Sequence, residues 1–346
     1  MEPREAVDIV YLWVDGSDPA WRRKRQAARQ RLGAAQSQSM AAHGNVEGRF
    51  RDNDELRYSL RALERFFPQH GHVYIVTDGQ TPAWLRAHAQ LSIVDHRDLI
   101  PQAALPTFDS CHIESYIHRI PGLSERYFYF NDDVFFGAPV CLSDWFWEGG
   151  VYAGWSNEPA VSAGPLHKDS DALRNACRQS IQWLNANPQA IAQPQYRHTF
   201  KTFAHAPRPM RRTVLARLEG VAPELFARVR STVFRTWDKP TIVSDFVMRW
   251  SLANGLARMR DYAYAYVSTG ESPQASGMER VIQGFGDLHF FCINDTLDNA
   301  PAGDPRLLQA KQALQALFPL ASCHERQAAP AGAAHLVQAA QGLLQV

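Results

Sequence analysis

The sequence predicts an α/β fold: a Rossmann-like, mostly parallel sheet flanked by helices, with a helical subdomain inserted on one side. Three observations carry this. Strand-length apolar runs alternate with helical periodicity through the first hundred residues, the pattern of a parallel sheet with helices on its faces. The run Tyr127-Phe128-Tyr129-Phe130 is apolar at successive positions, as in a strand buried on both sides. It ends in Asn131-Asp132-Asp133, a polar cluster at the carboxyl end of a strand, where open α/β sheets bind ligands.

In chain order, Val7 to Val14 reads as a first buried strand. It ends in Asp15-Gly16-Ser17-Asp18-Pro19, either a nucleotide-binding edge or a plain turn. Residues 20 to 32 read as a helix and 33 to 48, rich in Ala, Gln, Ser and Gly, as a mobile loop. Asn53 and Asp54 are candidate caps for a helix whose apolar face is Leu56, Leu60, Leu63 and Phe67. His72 to Thr77 is a strand ending at Asp78-Gly79, Thr81-Pro82 opens a short helix, and Leu91 to Val94 is a further strand. Ser110 is placed to cap a helix carrying His112, Glu114 and His118, with Glu114 and His118 four apart on one face.

Beyond Asp133, a Trp- and Gly-rich stretch at 144 to 155 leads to helical periodicity from Lys168 to Asn185. A basic segment, 197 to 212, holds His205, Arg208, Arg211 and Arg212 without an acid. Short helices are expected at 210–219 and 223–230, and a longer one from Thr241 to Leu252. Tyr262 to Ser268 and Leu288 to Ile293 read as strands, the second ending in Asn294-Asp295-Thr296. If the aromatic strands at 127–130 and 288–293 share a sheet and a direction, their polar tips converge on one rim. Pro305 to Leu317 reads as a helix, and 328 to 346 as a partly ordered Ala/Gln-rich tail. The divisions expected are 1–158 and 261–300 for the α/β core, 159–260 for the helical acceptor-side part, and 301–346 for a terminal helix and tail.

Composition narrows the class. With 36 Lys+Arg against 35 Asp+Glu, the net charge gives no signal for nucleic acid. Five cysteines without metal-ligand spacing, and a charged rather than apolar start at Met1 to Val7, point to a reducing cytoplasm. No stretch approaches the roughly 20 apolar residues of a membrane span, which leaves peripheral attachment open. Adjacent carboxylates at Asp132 and Asp133 suit a hard divalent cation, Mg²⁺ or Mn²⁺, or a solvated turn.

Four blocks resemble the Stealth family: DIVYLWVDGSDPAW at 8–21; RFRDNDELRYSLRALERFFP with HVYIVTDGQTPAWL within 49–85; LPTFDSCHIESYIHRIPGLSERYFYFNDDVFFG at 105–137; and RHTFKTFAHAPRPM with HFFCINDT at 197–210 and 289–296. The resemblance implies a glycosyltransferase A-like core that transfers a sugar-1-phosphate from a UDP-sugar to a polysaccharide hydroxyl, with release of UMP. It implies that Asp132 and Asp133 organise the metal and diphosphate, completed by Asn294 and Asp295. His205 would be the base and Arg235 the phosphate-contacting arginine. Asp15, Asn53, Arg57 and Asp78 would line the donor pocket, and His112 and Glu114 would border the sugar phosphate. Without the insertions of protein-modifying members, the chain fits the capsular and exopolysaccharide branch, with Arg211 and its neighbours guiding the acceptor polymer. The alternatives are a metal-dependent glycosyltransferase that releases UDP, and a non-catalytic sugar-binding module.

Overall fold

The computed structural model describes residues 6–41, 44–271, 277–301 and 303–326. The expected tail at 328 to 346 lies outside the described residues. Among the described residues, eleven strands form three sheets. Four parallel strands lead: β1 (Val7–Leu12), β2 (Val73–Thr77), β3 (Leu91–Asp95) and β4 (Arg126–Asn131). They lie in the order β3-β2-β1-β4, and β8 (Arg208–Arg211) pairs antiparallel on the far side of β4. The chain steps outward from β1 through β2 to β3, then returns to the other side of β1 as β4. That reversal opens a crevice between the carboxyl ends of β1 and β4, the usual ligand position in such sheets. Their tips are level, with Leu12 opposite Asn131.

β4 does not continue straight. The Asp132-Asp133 turn sends the chain into β5 (Val134–Phe136), which pairs antiparallel with β11 (Phe290–Asn294). β11 in turn runs parallel to β10 (Tyr264–Ser268). The two aromatic strands therefore belong to different sheets rather than one. Their tips meet all the same, because the turn joins the sheets: Ile293 N–H donates to the Asp133 carbonyl at 3.0 Å. A third sheet, β6 (Phe146–Trp147), β7 (Gly150–Ala153) and β9 (Ala257–Met259), holds the Trp-rich stretch. Trp145 packs edge-on against Phe128 and Phe136, tying it to the main core.

The helix Glu55–Phe66 buries Leu56, Leu60 and Leu63, with Phe67 just beyond it. Helices Ala172–Ala186, Arg212–Val221, Pro223–Arg230 and Val247–Ala253 occupy the middle of the chain, and β8 threads between them into the main sheet. The helix Pro305–Leu317 forms where its periodicity places it. Among the described residues, no helix is long and apolar enough to cross a membrane.

Several local expectations are corrected. Neither Asn53 nor Asp54 caps by its side chain; Asp54 stands at the cap position with φ 70°, and its carboxylate takes Lys311 instead at 2.5 Å. Asp109, not Ser110, caps the helix Ser110–Glu114 by accepting from Cys111 N–H. Residues after Thr81-Pro82 form turns, not a helix, because Leu85 bridges to Glu325 far along the chain. The described part of 33–48 holds the helix Ala34–Gln38 and is hooked to the body: Met40 bridges to Thr236, and Ala41 N–H donates to the Arg235 carbonyl at 2.9 Å.

Candidate active site

A cavity of about 1010 Å³, counted with its open mouth, sits in the β1/β4 crevice. Leu12, Trp13 and Val14 line it from the end of β1, Asn131, Asp132 and Asp133 from the end of β4, and Asn294 and Asp295 from the end of β11. Gly48 to Arg51 form a fourth wall, and Ser110 and Arg235 a fifth. Aromatic rings close one end: Trp21 lies 5.3 Å from Phe50 and 5.4 Å from Phe108 between ring centroids.

Its acidic half has little to balance it. Among the described residues Asp132 meets only its own backbone N–H, and burial, then Asp133, Glu55 and Asp52, raises its carboxyl well above the ordinary carboxylate range. Burial and the Asp54 charge push Asp52 up to about 6, while burial pushes Glu55 up to about 8 against the hydrogen bond from Asn53. Asp133 differs. Burial would raise it too, but His205, Arg49 and Cys292 together outweigh that and lower it. Nε2 of His205 lies 3.3 Å from Asp133 Oδ1 and 3.0 Å from Asn131 Nδ2. Cys292 Sγ stands 3.5 Å from Asp133 Oδ2, so Asp133, His205 and Cys292 offer three ligand atoms within 4.8 Å of one another. Crowded acids of raised pKa are the donor set that a divalent cation relieves, since the ion replaces their mutual repulsion with attraction.

The basic half faces them. Arg235 Nη2 donates to Ser110 Oγ at 2.5 Å, and its Nε is 3.9 Å from Asp109. The Arg49 guanidinium has no hydrogen-bond or ion-pair partner among the described residues. Crowding in the cleft, then the charge of Arg235, lowers its pKa, although solvent still reaches the side chain through the mouth. Two guanidinium groups held near each other, one of them without an ion-pair partner among the described residues and the other only at the edge of contact with Asp109, make a ready oxyanion clamp. Arg51 is already committed, as it forms a close ion pair with Asp295.

The residues expected at the site divide into three groups. Asp132, Asp133, Arg235, Asn294, Asp295 and Asp78 line the cavity, and His205 stands against its rim on Asp133. The polar atoms of Asn294 and Asp295 are engaged: Asn294 donates to Tyr266 Oη at 2.7 Å, and Asp295 accepts from Arg51, Asn53 and Leu297 N–H. Asp15 and Asn53 stand behind the wall. Asp15 accepts from Ser17 and holds Gln80 through its backbone, while Asn53 bridges Glu55 and Asp295.

Four expectations are not met by position. Arg57, in the first turn of the helix, turns away to Glu325, at 2.5 Å, near the end of the described chain. His112 is buried with Nδ1 on the Thr232 carbonyl at 2.7 Å. Glu114 is buried behind β4, where Tyr129 Oη lies 3.0 Å from it and 2.7 Å from Asn131; it reaches His205 only through those two residues, and His118 pairs with Glu219 rather than with it. Arg211 pairs with Glu125 at 3.0 Å, opposite Arg126 at the amino end of β4, about 17 Å along the strand from Asn131.

Arg49, Arg51, Phe50 and Cys292 are cavity or near-cavity residues that the sequence reading did not single out. Arg-Phe-Arg directly before Asp-Asn-Asp was the available signal: two cations and a ring beside acids, in a loop ahead of a helix.

The chain is similar to several known proteins. Residues 5–33 match "Stealth protein CR1, conserved region 1", and residues 49–153 match "Stealth protein CR2, conserved region 2". The chain is 35% identical over 323 residues to exopolysaccharide phosphotransferase SCO2592 of Streptomyces coelicolor, covering 92% of this chain and 33% of that protein. It is 36% identical over 328 residues to SCO6023 of the same organism (93% and 53%), and 33% identical over 327 residues to CpsY of Mycobacterium tuberculosis (93% and 58%). It thus spans between a third and three-fifths of these relatives' lengths. Among solved structures, the galactosyltransferase LgtC with donor and acceptor sugar analogues aligns over 91% of this chain and 96% of its own, at 8% identity and TM-score 0.43. The bifunctional glycosyltransferase WbbM aligns over 93% and 51%, at 9% identity and TM-score 0.41. Superpositions this loose transfer no residue roles. With both conserved regions present, and relatives sharing a third of their residues along nearly its whole length, the chain belongs to the Stealth proteins.

Proposed function

We propose that the chain is a phosphotransferase that moves a hexose- or hexosamine-1-phosphate from a UDP-sugar to a hydroxyl of an exopolysaccharide, releasing UMP. One observation carries this reading: an acid pair with a histidine against one member faces two guanidinium groups across a single cavity at the β1/β4 crevice. A diphosphate fits that polarity, with Arg49 and Arg235 on its oxygens and the aromatic end of Trp21, Phe50 and Phe108 available to a uracil ring. Asp132 and Asp133 are the residues that would hold Mg²⁺ or Mn²⁺, with Asn294 and Asp295 in the adjoining wall. Bound there, the ion supplies charge neutralisation on the diphosphate.

His205 takes the proton of the acceptor hydroxyl, and Asp133 stabilises the imidazolium that results. The acceptor oxygen attacks the phosphorus that carries the sugar. The bond from that phosphorus to the bridging oxygen breaks, and UMP leaves with the electron pair. The product is a phosphodiester with the sugar–oxygen bond intact. A UDP-sugar donor places the reaction in the cytoplasm, a reading supported by five free cysteines.

The deciding experiment incubates the protein with a panel of UDP-sugars, a divalent cation and an oligosaccharide acceptor, then identifies the nucleotide released. UMP is expected. UDP in its place would make the chain a glycosyltransferase and overturn the reading. Arg49→Ala should raise the donor KM about 10- to 100-fold, the loss of a hydrogen bond to a charged group. An unchanged KM would remove Arg49 from the clamp.

A further inference from the structure

A second cluster of ligating side chains lies at the other end of the main sheet. His70 precedes β2 and His88 precedes β3, so both stand at the amino ends of the parallel strands, whereas the cavity opens at their carboxyl ends. The last described stretch of chain docks there. Arg86 N–H donates to the His324 carbonyl and Arg326 N–H to the Trp84 carbonyl, both at 2.8 Å, with Leu85 and Glu325 bridged between them.

This docking brings Cys323 and His324 onto His88. One ligand atom from each lies within 4.8 Å of the other two. The His88 and His324 rings meet edge to face at 4.9 Å, and the His70 ring stands 6.5 Å from that of His324. His324 is 1% exposed, yet its Nδ1 is buried with no hydrogen-bond partner. A buried imidazole nitrogen left unpaired costs free energy, and buried polar groups are rarely left so without a ligand or water to meet them.

We propose that Cys323, His324 and His88 form a zinc site that staples the C-terminal segment to the loop between β2 and β3. One thiolate and two imidazoles are a donor set zinc prefers, with water as the fourth ligand. Atoms at 2.0–2.3 Å from one ion stand about 3.3–3.7 Å apart, so rotations of roughly an ångström close the set. His324 suits the role, since burial and then the charges of His88, His70 and Arg86 push its pKa down to about 4, leaving it neutral at physiological pH. Cys323 must lose a proton to bind: burial and the neighbouring Glu64 raise its thiol, so zinc binding releases that proton and tightens with rising pH. The site uses no residue of the cavity, and the donor chemistry can fail without affecting it.

Cobalt(II) reports on it, because a thiolate ligand gives a charge-transfer absorption band. Full-length protein, Cys323→Ser, His88→Gln and Cys292→Ser are titrated with cobalt(II), then with zinc(II) in competition. The band is expected in the wild type and in Cys292→Ser, and absent in Cys323→Ser. In His88→Gln, zinc affinity should fall by more than the roughly 10–100-fold typical of losing a ligand's hydrogen-bonding neighbour. Zinc should raise the melting temperature of the wild type but not of Cys323→Ser. A band that survives Cys323→Ser would put the metal on another cysteine, one that vanishes with Cys292→Ser would put it beside Asp133, and either would overturn the proposal, as would a wild type without a band.

Discussion

Cys292 stands in β11 and Asp133 in the turn that joins the two sheets, and the sulfur of one lies 3.5 Å from the carboxylate of the other, with His205 meeting that same carboxylate at 3.3 Å. Asp133 is thus the point at which β4, β11 and the segment ahead of β8 come together, and it holds His205 at the rim of the cavity. Replacing His205 with Ala should lower kcat roughly 10²- to 10⁴-fold, the range for a lost general base, with donor KM little altered. Release of UMP under saturating donor measures it; a kcat within threefold of wild type would leave His205 without that role.

Close approach of Gly16 to the Phe50 backbone sets the aromatic end of the cavity. Gly16 N–H donates to the Phe50 carbonyl at 2.6 Å, and a Cβ on Gly16 would stand 2.2 Å from that oxygen. Gly16→Ala should therefore push Phe50 aside, costing about 1–3 kcal/mol of stability and weakening donor binding. Gly33→Ala is the control, since its Cβ would meet nothing within 4 Å. Thermal melts and donor titrations of the two variants should differ in this direction.

Glu325 is buried under two arginines, with Arg61 Nε at 2.6 Å and Arg57 Nε at 2.5 Å. The Arg61 and Glu325 side chains are 6% and 1% exposed, so removing the acid strands a buried cation. Glu325→Ala should cost about 3–5 kcal/mol by urea unfolding. Arg57 is 30% exposed, and Arg57→Ala should cost about 1 kcal/mol or less. Donor KM should stay the same in Arg57→Ala, which separates this ion pair from the cavity.

Acid should unfold the protein in two stages that involve one cluster. His118 donates to Glu219 at 2.8 Å, and Glu219 also takes Arg119 and Arg230. Burial outweighs the pull of Glu219 and lowers His118 from 6.5 to about 4. Burial would raise Glu219, but Arg230, Arg119 and His118 bring it down from 4.5 to about 2. Both folded-state values lie below the unfolded ones, so in each interval the unfolded chain binds more protons and stability falls as pH falls. His118 acts between pH 6.5 and 4, and Glu219 between 4.5 and 2. His118→Gln should flatten the upper stage only in part, because His96, His198 and His324 are also lowered to about 4. Urea midpoints across pH 3 to 7 for the two proteins check this.

The strands were legible because their apolar runs are local: β1, β2 and β4 lie where the pattern places them. So was the meeting of the two aromatic tips, though by a route the pattern hides. Nothing near Asp132-Asp133 says that the turn hands the chain to a second sheet, or that β8 runs antiparallel and carries Arg211 to the wrong end of β4. The Thr81-Pro82 stretch reads as a helix start because the partner that pins it, Glu325, is some 240 residues away. Arg49 was hidden for the same reason. Only the fold brings its guanidinium and that of Arg235 to one cavity.

The cavity is assembled from both halves of the chain. Residues 5–33 and 49–153, the two matched regions, supply the acid pair, Arg49 and the aromatic end, but Arg235, His205, Asn294 and Asp295 all come from later in the chain. A fragment trimmed to the matched regions would keep the acids and lose the partner walls that face them. Any chain sorted into this family by its front half alone should be inspected for those later residues before it is credited with chemistry.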